Sequence, residues 1–244
     1  MNSPIISTIA EVSFALLLAV GVPVLAYITA RRPEIRQIPR LALYLSAVIS
    51  QWVLALVGLL VVLVAGRGFA GAGFRGIPIT EFLRWTLVLV LIALGGLTLS
   101  LLLEHLGWWP GESDLVRLLI PETAPERVWA VLLVAPTAAV CEEFLYRGFL
   151  LAQLSEWLDS GWCALVLSSV VFALAHIYQG PSGMVRVALL GALLAYPVLE
   201  LGSLYPSMAA HFVIDTAALL WLGPRFLEPK GPSVLPPANE VPGN

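Results

Sequence analysis

Charge is what this chain has least of. Asp, Glu, Lys and Arg make up 12% of its 244 residues, against roughly 25% in a soluble domain. With 59% hydrophobic residues and a mean hydropathy of +0.90, that shortage excludes an ordinary soluble domain and points to a polytopic membrane protein. The net charge is only −3 and no basic face is evident, which excludes a nucleic-acid partner. Cysteine is nearly absent too. Cys141 and Cys163 lie in apolar runs without CxxC or other ligand spacing, so neither a disulfide framework nor a zinc knuckle is implied. Both read as small buried hydrophobes, and an apolar setting argues against Cys141 as a nucleophile. The first eleven residues lack Lys and Arg, so a retained first span is expected rather than a cleavable signal. No internal repeat is present. The glycine-rich run 66–76 matches neither a P-loop nor a dinucleotide fingerprint, and it reads as a flexible loop.

What the chain has in abundance is long apolar runs. A membrane span needs about 20 mostly apolar residues, and seven candidates (six to eight) meet that need: 8–30, 41–65, 84–103, 127–153, 161–179, 184–201 and 203–222. The expected fold is an all-α transmembrane bundle. Polar residues interrupt the last four spans, whereas the second reads as clean. Three domains are expected. Residues 1–126 hold three lead-in spans and an acidic loop, 127–222 a helical core, and 223–244 a proline-rich tail expected to be disordered. Arg31, Arg32, Arg36 and Arg40 follow the first span. Placing them in the cytoplasm leaves only Arg67, Arg75 and Arg84 outside, so the N-terminus is expected outside and the C-terminus inside.

Against this background, Cys-Glu-Glu-Phe-Leu-Tyr-Arg at 141–147 stands out. Each charge at the bilayer centre costs about 2.5–3.5 kcal/mol on insertion scales, so such a cluster reads as a functional site. Glu143 and Arg147 are four residues apart on a helix, in the better order for an ion pair. Glu142 lies about 100° further round and is left for other work. Phe172 and His176, then His211 and Asp215, repeat the four-residue spacing on the fifth and seventh spans. Glutamate with histidine can activate a water, one group taking its proton while the other orients it. His211 and Asp215 could hold a carbonyl oxygen as charge develops on it.

Glu-Glu-x-x-x-Arg at 142–147, Phe-x-x-x-His at 172–176 and His-x-x-x-Asp at 211–215 together resemble the CPBP family of intramembrane proteases. That family includes Rce1-type CAAX prenyl endopeptidases and bacterial proteins linked to bacteriocin self-immunity. The resemblance covers roughly 127–222 and implies a glutamate-dependent endopeptidase with no cofactor and no metal. Its substrate would be a membrane-associated or lipidated peptide or protein, and its expected location is a prokaryotic plasma membrane. By the same resemblance, Glu142 and His176 activate the water, Glu143 and Arg147 shape and neutralise the site, and His211 with Asp215 contacts the scissile carbonyl. Asp215 departs from the eukaryotic pattern, which has Asn there. An ionised Asp only accepts hydrogen bonds, so Asp215 is either protonated or serves to orient His211.

Other readings stay open at this level. The glutamates and Arg147 could be an ion-pair network holding helices together. Glu142, His176, His211 and Asp215 are residue types that zinc takes, although no His-Glu-x-x-His is present. A non-catalytic scaffold or immunity protein, or a proton-coupled transporter, would also use buried Glu and His. Spacing within one sequence does not separate them, and it is silent on oligomeric state.

Overall fold

The computed structural model describes residues 4–111 and 113–222, and the proline-rich tail expected at 223–244 lies outside them. Among the described residues all regular structure is helical. Five helices are long and apolar enough to cross a membrane: α1 (Ile5–Ala30), α2 (Arg40–Val64), α3 (Ile79–His105), α4 (Ala124–Leu158) and, after the intervening α5, α6 (Ile177–Leu201). The shorter α5 is Gly161–Ala175. The last, α7 (Tyr205–Ala217), runs on into a π-helical turn, Ala218–Leu222. The protein is an integral, multi-pass membrane protein. In α5, 15 residues rise only about 22 Å, short of the ~30 Å hydrocarbon core. The expected fifth span therefore breaks early, because its last turn closes at Ala175 and His176 caps the helix.

Helix α4 is the axis of the bundle. Of its most apolar stretch 56% is buried inside the protein, against 11–33% for the other four long helices. It packs against α2, α5 and α7, while α6 packs on α5 and α7 on α3. Its start is well specified. Thr123 and Glu126 form a reciprocal capping box, with Pro125 in the first turn. A π turn at Ala130–Val134 precedes Pro136, whose missing N–H cannot serve the carbonyl one turn back. A second π-helical stretch, Glu143–Leu150, carries the charged motif itself. Such widened turns recur at functional sites.

Arginines flanking α2 tie it to both ends of α4. Arg40, at the start of α2, bonds Glu126, Glu122 and the Leu118 carbonyl. Arg67, just past the end of α2, bonds Glu11, Gln153 and Glu156. Part of the run 66–76, expected to be a flexible loop, is anchored on the core through residues 72–75. Ala72 is buried, the Gly73 carbonyl accepts from the Leu204 amide at 2.8 Å, and the Arg75 carbonyl accepts from Ser203 Oγ at 2.8 Å. The lack of side chains permits this approach. A Cβ on Gly148 of α4 would stand 2.6 Å from the Ala72 carbonyl oxygen. Gly148→Ala should therefore destabilise by about 1–3 kcal/mol through overpacking, read as a lower unfolding midpoint in detergent. Gly95→Ala, which meets open space, is the control and should not lower it. Cys141 is buried but Cys163 is exposed, because the first turn of α5 faces outward beside exposed Trp162.

Candidate active site

The six residues singled out in the sequence converge on one buried cluster built from α4, the cap of α5, and α7. Glu143 is fully buried, and its Oε1 accepts from Arg147 NH1 at 3.0 Å. The same oxygen lies 2.7 Å from His211 Nδ1. A carboxylate only accepts, so an ionised Glu143 makes Nδ1 the protonated nitrogen. Arg147 is equally enclosed. Its NH2 donates to the Gly191 carbonyl at 3.2 Å, and its guanidinium sits 4.3 Å from the centroid of the Phe172 ring. Phe172 thus does more than fill space, since a cation over an aromatic face is attracted to it. A buried arginine with an anion, a carbonyl and a ring face has the partners that a charge in low dielectric requires.

Glu142 is the next residue along but faces elsewhere. Its Oε2 stands 3.9 Å from His176 Nε2 and 3.9 Å from His211 Nε2. His176 is oriented by its own helix. Nδ1 lies 2.8 Å from the Phe172 carbonyl oxygen, which can only accept, so Nδ1 donates and a neutral ring presents a bare Nε2 to Glu142. Its ring also packs edge-on against Phe172, at 4.6 Å between centroids. Asp215 Oδ2 lies 3.4 Å from His211 Nε2, one helical turn along α7. His211 is therefore flanked by a carboxylate at each nitrogen. Asp215, at 29% side-chain exposure, is the most open of the six.

One member was missed. Gln51 of α2 donates from Nε2 to Glu142 Oε1 at 2.7 Å, so the second span is not clean and Glu142 is not without a partner. The next residue, Trp52, donates to Thr137 Oγ1 of α4 at 3.1 Å. The signal was present as a lone amide in the middle of an apolar run, where polar side chains are expensive. Among the described residues, no group of three or more His, Cys, Asp or Glu is arranged to hold a metal ion.

A multi-pass helical bundle with a carboxylate–imidazole cluster buried within it defines the class of this protein: a helical integral membrane protein with a polar, titratable core. More narrowly, residues 124–217 match the family described as Rce1-like, the type II CAAX prenyl endopeptidases, consistent with a CPBP-family membrane protease. That match spans α4 to α7 and contains all six residues. No curated protein and no solved structure matches the chain.

Proposed function

We propose that the protein is an intramembrane endopeptidase in which Glu142 and His176 activate the water that attacks a peptide carbonyl. The observation that carries this reading is the pair of 3.9 Å separations from Glu142 Oε2 to the two imidazole Nε2 atoms. That distance is too long for a direct hydrogen bond and suits a bridging water. The water gives one proton to Glu142 and directs its other hydrogen to the bare Nε2 of His176. Its oxygen bonds to the carbonyl carbon, and negative charge develops on the carbonyl oxygen. His211 with both nitrogens protonated keeps Nδ1–H on Glu143 and donates from Nε2 to that oxygen. Glu142 then returns its proton to the leaving amine as the C–N bond breaks, and the products are a carboxylic acid and an amine. Arg147 neutralises Glu143, and Asp215 orients His211.

The substrate in this reading is a membrane-associated or lipidated peptide, processed at a prokaryotic plasma membrane. An apolar cavity of about 620 Å³, lined by Phe82, Pro136, Val140, Met208 and Phe212 among others, lies between α3, α4 and α7. It suits an apolar chain beside the helices that carry Glu142 and His211. The test is cleavage of a lipid-anchored reporter peptide by the purified protein in liposomes. His176→Ala should slow it by about 10²–10⁴-fold, and a tight chelator should leave it unchanged. Activity lost to the chelator and restored by zinc would favour a metal-dependent protease. An unaffected His176→Ala protein would reject the proposed pairing.

A further inference from the structure

The motif-bearing helices do not hold the whole site, because α2 reaches into it through one side chain. We infer that Gln51 is a positioning residue for the reaction: it fixes the orientation of the Glu142 carboxylate. This rests on the reading of Glu142 as the base. Gln51 Nε2 engages Oε1 at 2.7 Å, and the opposite oxygen, Oε2, is the one that faces His176 and His211. A glutamate side chain has three rotatable bonds and a broad terminal torsion. Among the described residues, Gln51 makes the one hydrogen bond to it, since both imidazoles stand too far away for direct contact. With one oxygen held, the other is presented to the two rings. Without that contact the carboxylate turns about its last bond, and the proton acceptor leaves its place.

A purely structural tie between α2 and α4 explains the residue less well. The other amide atom of Gln51, Oε1, is buried without a partner among the described residues, and an unsatisfied buried acceptor costs about 1–3 kcal/mol. The same two helices are already joined by Trp52 to Thr137, by Arg40 and by Arg67. An amide that brings an orphan acceptor into an apolar helix adds little to that joint. It is suited instead to holding a carboxylate while carrying no charge of its own.

The experiment compares wild type, Gln51→Met, Glu142→Gln and the double variant on the reporter peptide in liposomes. Met keeps the length and removes both polar atoms. Gln51→Met should fold with an unfolding midpoint near wild type, lower kcat by about ten- to a hundredfold and leave KM unchanged. In the Glu142→Gln background it should lower the residual rate no further, because the group it positions is gone. A substrate-free readout is the infrared carboxyl band of Glu142, identified by its loss in Glu142→Gln; that band should move in Gln51→Met. A kcat within about twofold of wild type, an unmoved band, or the same loss repeated in the Glu142→Gln background would overturn the inference. Wild-type activity in Glu142→Gln would instead sink the reading of Glu142 as base. Normal dependence on Glu142 with an indifferent Gln51→Met would sink this inference alone.

Discussion

Glu142→Gln should lower the rate of peptide cleavage by about 10²–10⁴-fold, the range that a positioned general base supplies, while the protein still folds. The substitution keeps the shape of the side chain and an oxygen for Gln51 Nε2 to bond, but it removes the ability to take a proton from water. Little folding energy is at stake. Neither imidazole is in direct contact with Glu142, at 3.9 Å each, and Arg147 is engaged by Glu143. The loss should therefore appear in kcat and kcat/KM together, as for an interaction made only in the transition state. A single-turnover assay with equal amounts of folded protein measures it. Wild-type turnover would reject Glu142 as the base, whereas no cleavage by either protein would leave a scaffold or immunity role as the better account.

The second large effect is on stability. Arg147→Met should destabilise the protein by about 3–5 kcal/mol, the usual result of breaking a buried ion pair from one side. Glu143 is fully buried, and its Oε2 already has no partner among the described residues. Without Arg147 its charge would rest on His211 alone, and the Gly191 carbonyl would lose the donor it has beyond its own helix. Glu143→Gln combined with Arg147→Met should recover much of that loss, because the double variant buries no uncompensated carboxylate and keeps an acceptor for His211. A double-mutant cycle on unfolding free energies in detergent gives the coupling. Independent, additive costs would show that the two side chains do not depend on each other.

Much of the site was legible because its pieces are local. Glu143 and Arg147, Phe172 and His176, and His211 and Asp215 each lie one turn apart, and helical geometry alone makes such neighbours. The five long helices were legible for a similar reason, since each is a long apolar run; α5 and α7 are shorter than the runs they come from. Contacts between helices were not. Gln51 is 91 residues from Glu142, and no periodicity links two helices that far apart; averaging hydropathy over α2 hid a single amide. The bond from His211 Nδ1 to Glu143, across 68 residues, escaped for the same reason. It assigns His211 a carboxylate partner that had been reserved for Arg147. The run 66–76 looked loose because glycine is permissive in isolation. Its order comes from what lies opposite, the bare Cα of Gly148 and the turn before α7.

The two arginines at the ends of α2 have a consequence for the centre of the bilayer. Arg40 grips the beginning of α4 and Arg67 its end, so the two rods run side by side like a bone and its splint. Sliding one past the other by a single turn, about 5.4 Å, would tear both fastenings at once. The alignment of Gln51 with Glu142, midway between, is thus set at the margins of the membrane. A lesion at either margin would reach the proposed reaction centre as a misaligned carboxylate.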